Sequence, residues 1–346
     1  MELLAPAGNF DVAIAAFQSG ADAVYLGLKD FSARKRAENF TDEQLRRLKQ
    51  YAIIHGKKIY VTLNTLISND EWKLLRQALH FIQAIEVDGV IIQDLGLCQL
   101  IRQYFPKIPI HASTQMAIHS VAAAKVAHSL GIERVVLSRE CSYEQIKKIR
   151  EEVPELEIEV FIHGALCYSF SGLCLASGLM LDRSGNRGEC AQICRTYFDN
   201  SAKQSAYPFS CNDLALRGEI SKLVNLGISS FKIEGRMKSA EYVSSTVGYY
   251  RSLLDGKEAI KLLEQSQLSF ARKLSYGYFH SARGEELINS AYAGHFGIFA
   301  GKMKRVGGVL LLPTEIALSA FDTLAFFRSG QLITRCQLKR ATVHGK

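Results

Sequence analysis

No stretch of the 346 residues reaches the roughly 18 uninterrupted apolar positions that a membrane-spanning helix needs. The N-terminus, MELLAPAGNFD, lacks the order of basic, apolar and small residues that marks a secretory signal. A cytoplasmic protein without a membrane partner is therefore expected. Two hydrolase signatures are also missing, the H-E-x-x-H zinc helix and the G-x-S-x-G nucleophile elbow. GIFAGKMK, from Gly297, falls one residue short of the phosphate-loop spacing, and no Ser or Thr follows Lys302. Nucleotide binding through such a loop is excluded. The formal charge of +8 is moderate, with basic clusters at Arg46/Arg47/Lys49, Lys57/Lys58, Lys302/Lys304/Arg305 and Arg335/Lys339/Arg340. A polyanion such as RNA is allowed as a partner and not demanded.

What the chain does have is a cysteine cluster. Cys167 and Cys174 in HGALCYSFSGLC and Cys190 and Cys194 in NRGECAQIC form a C-x6-C, C-x15-C, C-x3-C series within one glycine-rich stretch. No long helix or strand fits between the members, so the loop can fold back and aim four thiols at one point. In a reducing compartment such a subset reads as metal ligands rather than disulfides, against the plainer reading of scattered buried thiols. Zinc and an iron–sulfur cluster both suit soft sulfur donors. Structural zinc favours C-x2-C knuckles, and the wider spacing here suits the larger footprint of a cluster. Cys211 in FSCND follows closely enough to replace one of the four. Cys98, Cys141 and Cys336 stand alone and read as packing residues.

Short apolar runs alternate with amphipathic stretches from the start: ELLAP, ADAVYLG, KKIYVTLN, GVIIQD, IPIHAS, RVVLSRE, EIEVFIHG and SSFKIEG. Helical patterns separate them, such as Phe10 to Ser19, Asp42 to Ile54 behind a Thr41 N-cap, and Tyr143 to Glu152, with Gly20, Gly56, Gly131 and Gly227 as stop signals. Eight strands separated by helices predict an α/β protein of the (β/α)8 TIM-like barrel class over residues 1–255, with a cysteine-rich loop at 164–205. Residues 256–296 read as a connecting segment. From 297 to 346, short strands joined by glycine turns predict a small C-terminal all-β domain, barrel-like or a sandwich.

Barrels of this class place their active sites at the C-terminal ends of the strands. The polar residues expected there are Asn64, Gln93, Ser113, Gln115, Arg139 and Arg236 as substrate-binding groups, and His163, Glu140 and Glu234 as groups for acid–base work. Arg139 and Arg236 suit a carboxylated co-substrate, because guanidinium pairs bidentately with carboxylate. The cysteine loop leaves the seventh strand at this mouth. A Cys167/His163 dyad is the one remnant of peptidase chemistry in the sequence, with no third group evident to orient the histidine.

At these residues the chain resembles the peptidase U32 family. The stretch from Glu159 through Phe161, Gly164, Ala165, Leu166, Cys167, Gly172 and Cys174 to Ser177 fits the family signature, except that Ala176 stands where a larger aliphatic is usual. LLAPAGN, ADAVYLG, HASTQM, NRGECAQICR and KIEGRMKS extend the likeness over about residues 1 to 255. Longer members continue well past this point, so the chain reads as a short or truncated representative. The resemblance implies two activities: the collagenase-like peptidase of the family name, and an oxygen-independent hydroxylase with a [4Fe-4S] cluster on Cys167, Cys174, Cys190 and Cys194. Substrates in the hydroxylase branches are transfer RNA uridine, ribosomal RNA cytidine or a ubiquinone precursor. In the RNA branches prephenate is implied as the hydroxyl donor. HASTQM and SGNRGECAQICR are closest to the ribosomal RNA cytidine branch.

Overall fold

The computed structural model of the protein describes residues 1–35, 37–199, 205–284 and 286–339. Seven strands and six helices alternate along the first half. The strands are β1 (Glu2–Pro6), β2 (Ala23–Gly27), β3 (Lys58–Leu63), β4 (Gly89–Ile92), β5 (Ile110–Ala112), β6 (Arg134–Val136) and β7 (Glu157–Ala165). Between them lie α1 (Phe10–Gln18), α2 (Asp42–Ile54), α3 (Trp72–Ala84), α4 (Leu95–Tyr104), α5 (Val121–Ser129) and α6 (Tyr143–Glu152). Five of these six helices start where a short polar side chain satisfies a free N–H group. Thr41 and Ser142 form capping boxes with Gln44 and Gln145, and Asn9, Asp94 and Ser120 cap α1, α4 and α5. Each of the four glycines expected to stop a helix has positive φ.

After the cysteine loop, which carries the short helix α7 (Ala176–Leu181), comes a small hairpin of β8 (Phe198–Asp199) and β9 (Ser205–Ala206). Then follow β10 (Asp213–Ala215), α8 (Ile220–Asn225), β11 (Ser230–Ile233), α9 (Ala240–Leu254) and α10 (Ile260–Ser269). β11 pairs in parallel with both β1 and β7 and so closes an eight-stranded parallel barrel. The predicted (β/α)8 class is the observed one. β10 lies outside this ring, antiparallel to β7, with β12 (Leu274–Ser275) paired beyond it.

Alternation along the strands divides the interior in two. Leu3, Ala5, Val24 and Leu26 face the helices and join the main core, whereas Leu4 and Tyr25 face the lumen with Tyr60 and Ile91. The lower lumen is charged rather than apolar. Arg134 pairs with Glu2 at 2.6 Å and Glu159 at 3.4 Å, and Lys232 pairs with Glu159 at 2.7 Å, all four residues being buried. The Tyr60 and Ser230 hydroxyls donate to Glu2 at 2.7 and 2.9 Å.

The C-terminal region is built of two separate antiparallel hairpins among the described residues: β13 (Lys304–Val306) with β14 (Val309–Leu311), and β15 (Thr323–Arg328) with β16 (Gln331–Gln337). Gly307 and Gly308, both at positive φ, form the two-residue turn of the first. Cys336 on β16 is exposed, against its expected packing role, because the aromatic cover of this sheet, Tyr292 and Phe296, packs on Phe327 of β15; Cys98 and Cys141 are buried as expected. Arg340 lies outside the described residues. Removing the cation above Glu159 should expose how much the lumen depends on its charges. Lys232→Met should lower stability by about 3–5 kcal/mol in urea denaturation, whereas Lys125→Met at the exposed pair with Glu152 should change it by less than about 1 kcal/mol.

Candidate active site at the barrel mouth

The upper lumen is lined by the next inward positions: Thr62 beyond Tyr60, Gln93 beyond Ile91, Ser113 beyond His111, and Glu234 beyond Lys232. Glu234 is the electrostatic centre. Its Oε2 accepts from Arg139 Nη2 at 2.6 Å and its Oε1 from Arg34 Nη2 at 3.4 Å. Burial pushes its carboxyl up, but Arg34, Arg139, Arg236 and Lys232 outweigh that and hold it at about 2. At neutral pH it is an ionised anchor with no proton to give. Arg139 also stacks on the Phe161 ring, 4.1 Å from its centroid. Arg236 is buried, donates to Thr62 Oγ1 at 3.2 Å, and is held down to about 10 by burial. Three guanidinium groups against one carboxylate leave this cluster with excess positive charge.

Arg34 was not legible as a site residue. It lies in the loop after β2, where DFSARKR offers only a run of cations, and folding brings it 200 positions across the sequence to Glu234. Its side chain is 36% exposed against 9% for Arg139, so it is the guanidinium that faces incoming molecules. Ser138, also absent from the expected set, has a buried hydroxyl without a partner, as does the amide oxygen of Gln93. Asn64 and Gln115 are joined, Nδ2 to Oε1, at 3.0 Å, and the Asn64 oxygen accepts the Ala33 N–H. Ser113 is buried and accepts the Gln115 N–H through its hydroxyl.

His163 stands apart from this group. Its ring packs edge-on against Tyr250 of α9, toward the helix layer, with Nδ1 3.2 Å from the Tyr250 hydroxyl. That hydroxyl donates to Ile162 O at 2.9 Å, which leaves the His163 Nδ1–H to donate to it. Burial, with Arg217 and Lys238 nearby, lowers His163 to about 3, so the imidazole is neutral at physiological pH. Glu140 directs both carboxylate oxygens at Ser171 in the cysteine loop.

The loop itself is tied to the barrel at several points. Arg187 donates to Leu66 O and Ser68 Oγ and pairs with Glu71, all in the loop after β3. Arg195 donates to Leu166 O at 3.0 Å, to Ser210 Oγ at 3.0 Å and to Cys211 O. Gly164, at φ 109°, brings β7 against Glu234, where an added Cβ would meet the Glu234 carbonyl at 2.5 Å. All four thiols are free and at least partly accessible, whereas Cys211 is buried, with its thiol pushed up to about 11, mainly by burial.

The donor set fits a soft-metal centre in its chemistry. Burial raises the Cys167 and Cys194 thiols, and the other three cysteines of the cluster add to the rise at Cys194. The sulfurs of Cys167 and Cys190 each accept an N–H from the residue two positions on, the latter at 3.4 Å. An added Cβ on Gly185 would sit 3.4 Å from Cys174 O and 3.9 Å from Cys190 Cβ, so the two halves of the loop close over this glycine. Among the described residues, no three His, Cys, Asp or Glu side chains meet as closely as in a preformed metal site. No helix among them is long and apolar enough to cross a membrane.

Residues 8–289 match the family model for Peptidase family U32. The chain belongs to that family. U32 relatives carry more than one kind of name. The tRNA hydroxylation protein P1 of Bacillus subtilis (strain 168) is 38% identical over 266 residues, covering 73% of this chain and 63% of that protein. The 23S rRNA 5-hydroxycytidine C2501 synthase of Escherichia coli (strain K12) is 38% identical over 261 residues, covering 74% and 39%. The Collagenase of Porphyromonas gingivalis (strain ATCC BAA-308 / W83) is 32% identical over 309 residues, covering 82% and 74%. The chain thus spans less than two thirds of the length of the first two. Their equal identities do not single out the cytidine branch.

The depressed carboxyl of Glu234 makes an acid prediction with a definite sign. Its folded pKa of about 2 lies below the ordinary 4.5, so its contribution to stability is complete above the ordinary value and fades as pH falls toward 2. Glu234→Gln should be less stable than the wild type at neutral pH, and the difference should shrink between pH 4.5 and 2 when unfolding is followed across that range.

Proposed function

We propose that this protein is an iron–sulfur-dependent, oxygen-independent hydroxylase that modifies an RNA base, with prephenate as the hydroxyl donor. The observation that carries the reading is the anchoring of four free thiols on a loop beside a mouth with excess positive charge. Two U32 relatives named for hydroxylated RNA support the substrate class.

Cys167, Cys174, Cys190 and Cys194 would hold a [4Fe-4S] cluster, which supplies one-electron chemistry when bound. The chain's own residues bind and orient. Arg34, the most exposed of the three arginines, takes a carboxylate of the donor, and Arg139 stays fixed between Glu234 and Phe161. A second carboxylate balances the remaining positive charge. The unpartnered Gln93 oxygen and Ser138 hydroxyl offer hydrogen bonds to the donor's hydroxyl. Phosphates of RNA would meet the protein at this face. Lys57 and Lys58 do not contribute there, since they lie at the N-terminal end of β3, opposite the mouth. Arg46 and Arg47 are stacked on Phe81 and Phe10.

The peptidase alternative rests on the family name and on relatives so named. Burial pushes the Cys167 thiol up, whereas an activated nucleophile needs it lowered. His163 bonds Tyr250 through Nδ1, and no hydrogen bond joins it to Cys167 among the described residues.

Anaerobic purification tests the cofactor. A brown protein with iron and sulfide is expected, and iron should fall in each Cys→Ala variant of the four but not in Cys98→Ala. A colourless, iron-free wild type sinks the reading. Nucleoside mass spectrometry on a strain lacking the protein tests the substrate: a hydroxylated nucleoside should disappear, and an unchanged profile moves the choice to a small molecule or a peptide.

A further inference from the structure

We infer that Glu140 is a positioning residue for the cysteine loop, setting the arc of chain that carries Cys167 and Cys174, rather than a group that exchanges protons with substrate. The inference rests on the metal-centre reading above and assigns part of the work of assembling that centre to a carboxylate outside the loop.

Glu140 lies between β6 and α6. Its Oε1 accepts the Ser171 N–H at 2.8 Å and its Oε2 accepts the Ser171 hydroxyl at 3.1 Å. Both oxygens therefore serve a single residue. Ser171 stands four positions after Cys167 and three before Cys174, is 1% exposed, and has a left-handed φ of 50°. A residue with a side chain holds that conformation only where its surroundings over-determine it. The two bonds from Glu140 supply that constraint, and they do so at the turn that sends the chain back from Cys167 toward Cys174.

Arg187, three residues before Cys190, ties the later part of the loop to the loop after β3, and Arg195, directly after Cys194, reaches back to Leu166 O just ahead of Cys167. Between the first two thiols, the bonds from Glu140 are the hydrogen-bonded link to the barrel among the described residues. Partners that orient a ligand-bearing segment from behind typically affect metal affinity by roughly 10- to 100-fold when removed.

Cobalt(II) is a suitable probe, because thiolate coordination gives it an absorption band that reports sulfur ligation directly. The reduced full chain should bind cobalt(II) with that band, and Glu140→Ala should weaken binding by roughly 10- to 100-fold. Glu140→Gln should restore most of it, since its amide oxygen accepts the Ser171 N–H while its NH2 donates to the Ser171 hydroxyl. Ser171→Ala, which keeps one of the two bonds, should fall between. Wild-type affinity in a folded Glu140→Ala protein overturns the positioning role and leaves the metal centre standing. A Glu140→Gln protein as impaired as Glu140→Ala overturns it too, because charge alone would then be responsible. A wild type with no thiolate band removes the metal centre, and the role with it.

Discussion

Glu234 is one carboxylate shared by guanidinium groups from distant parts of the chain, and the geometry of the mouth follows from it. Arg34 arrives from the loop after β2, Arg139 from the loop after β6, and Arg236 from two positions further along the same chain. Without the carboxylate, three like charges would share a poorly solvated bowl, and their mutual repulsion would drive them outward. With it, two are held in fixed directions while the cluster still favours anions. The same residue touches the cysteine loop's point of departure, because Gly164 lies against its backbone.

A barrel of this class usually fills its lumen with branched apolar side chains. Here the lower lumen holds Glu2, Arg134, Glu159 and Lys232 in mutual ion pairs. Charged side chains in such a place are tolerable because almost every one has a partner, and the loss of one partner leaves the other buried and uncompensated. The lumen is a stack of alternating charge from its base to the mouth, with Lys232 lying between Glu159 below and Glu234 above. Lys232 also contributes to holding the Glu234 carboxyl low, which couples the floor of the site to the scaffold beneath it.

Much of the barrel was legible in the sequence because its signals are local. Alternating apolar runs, Thr41 at a helix start and glycines at helix ends each report on a few neighbouring residues. Strand-end position also brought Arg139, Glu140, Glu234 and the cysteine loop to one end of the barrel. Partnership was not legible. Arg34 belongs to the site through a contact 200 residues away, and nothing in DFSARKR distinguishes it from its neighbouring cations. Glu140 turned toward the loop and His163 toward α9, choices that depend on the packing of residues such as Ser171 and Tyr250. Cys336 read as a packing residue from its apolar surroundings, but whether a second layer covers a strand is a tertiary fact.

Barrel closure also has a temporal meaning. β11 reaches β1 across almost the whole barrel, with Ser230 opposite Glu2, so this pairing joins the most distant segments of the ring. Contacts of such long sequence separation carry the largest loop-closure cost and form slowly. Glu234 follows β11 directly. During synthesis the four cysteines therefore leave the ribosome before the strand that completes the bowl, and the nascent loop waits beside an open sheet. The thiols come before the carboxylate that gathers the anion site, an order written into the chain by the position of its last barrel strand.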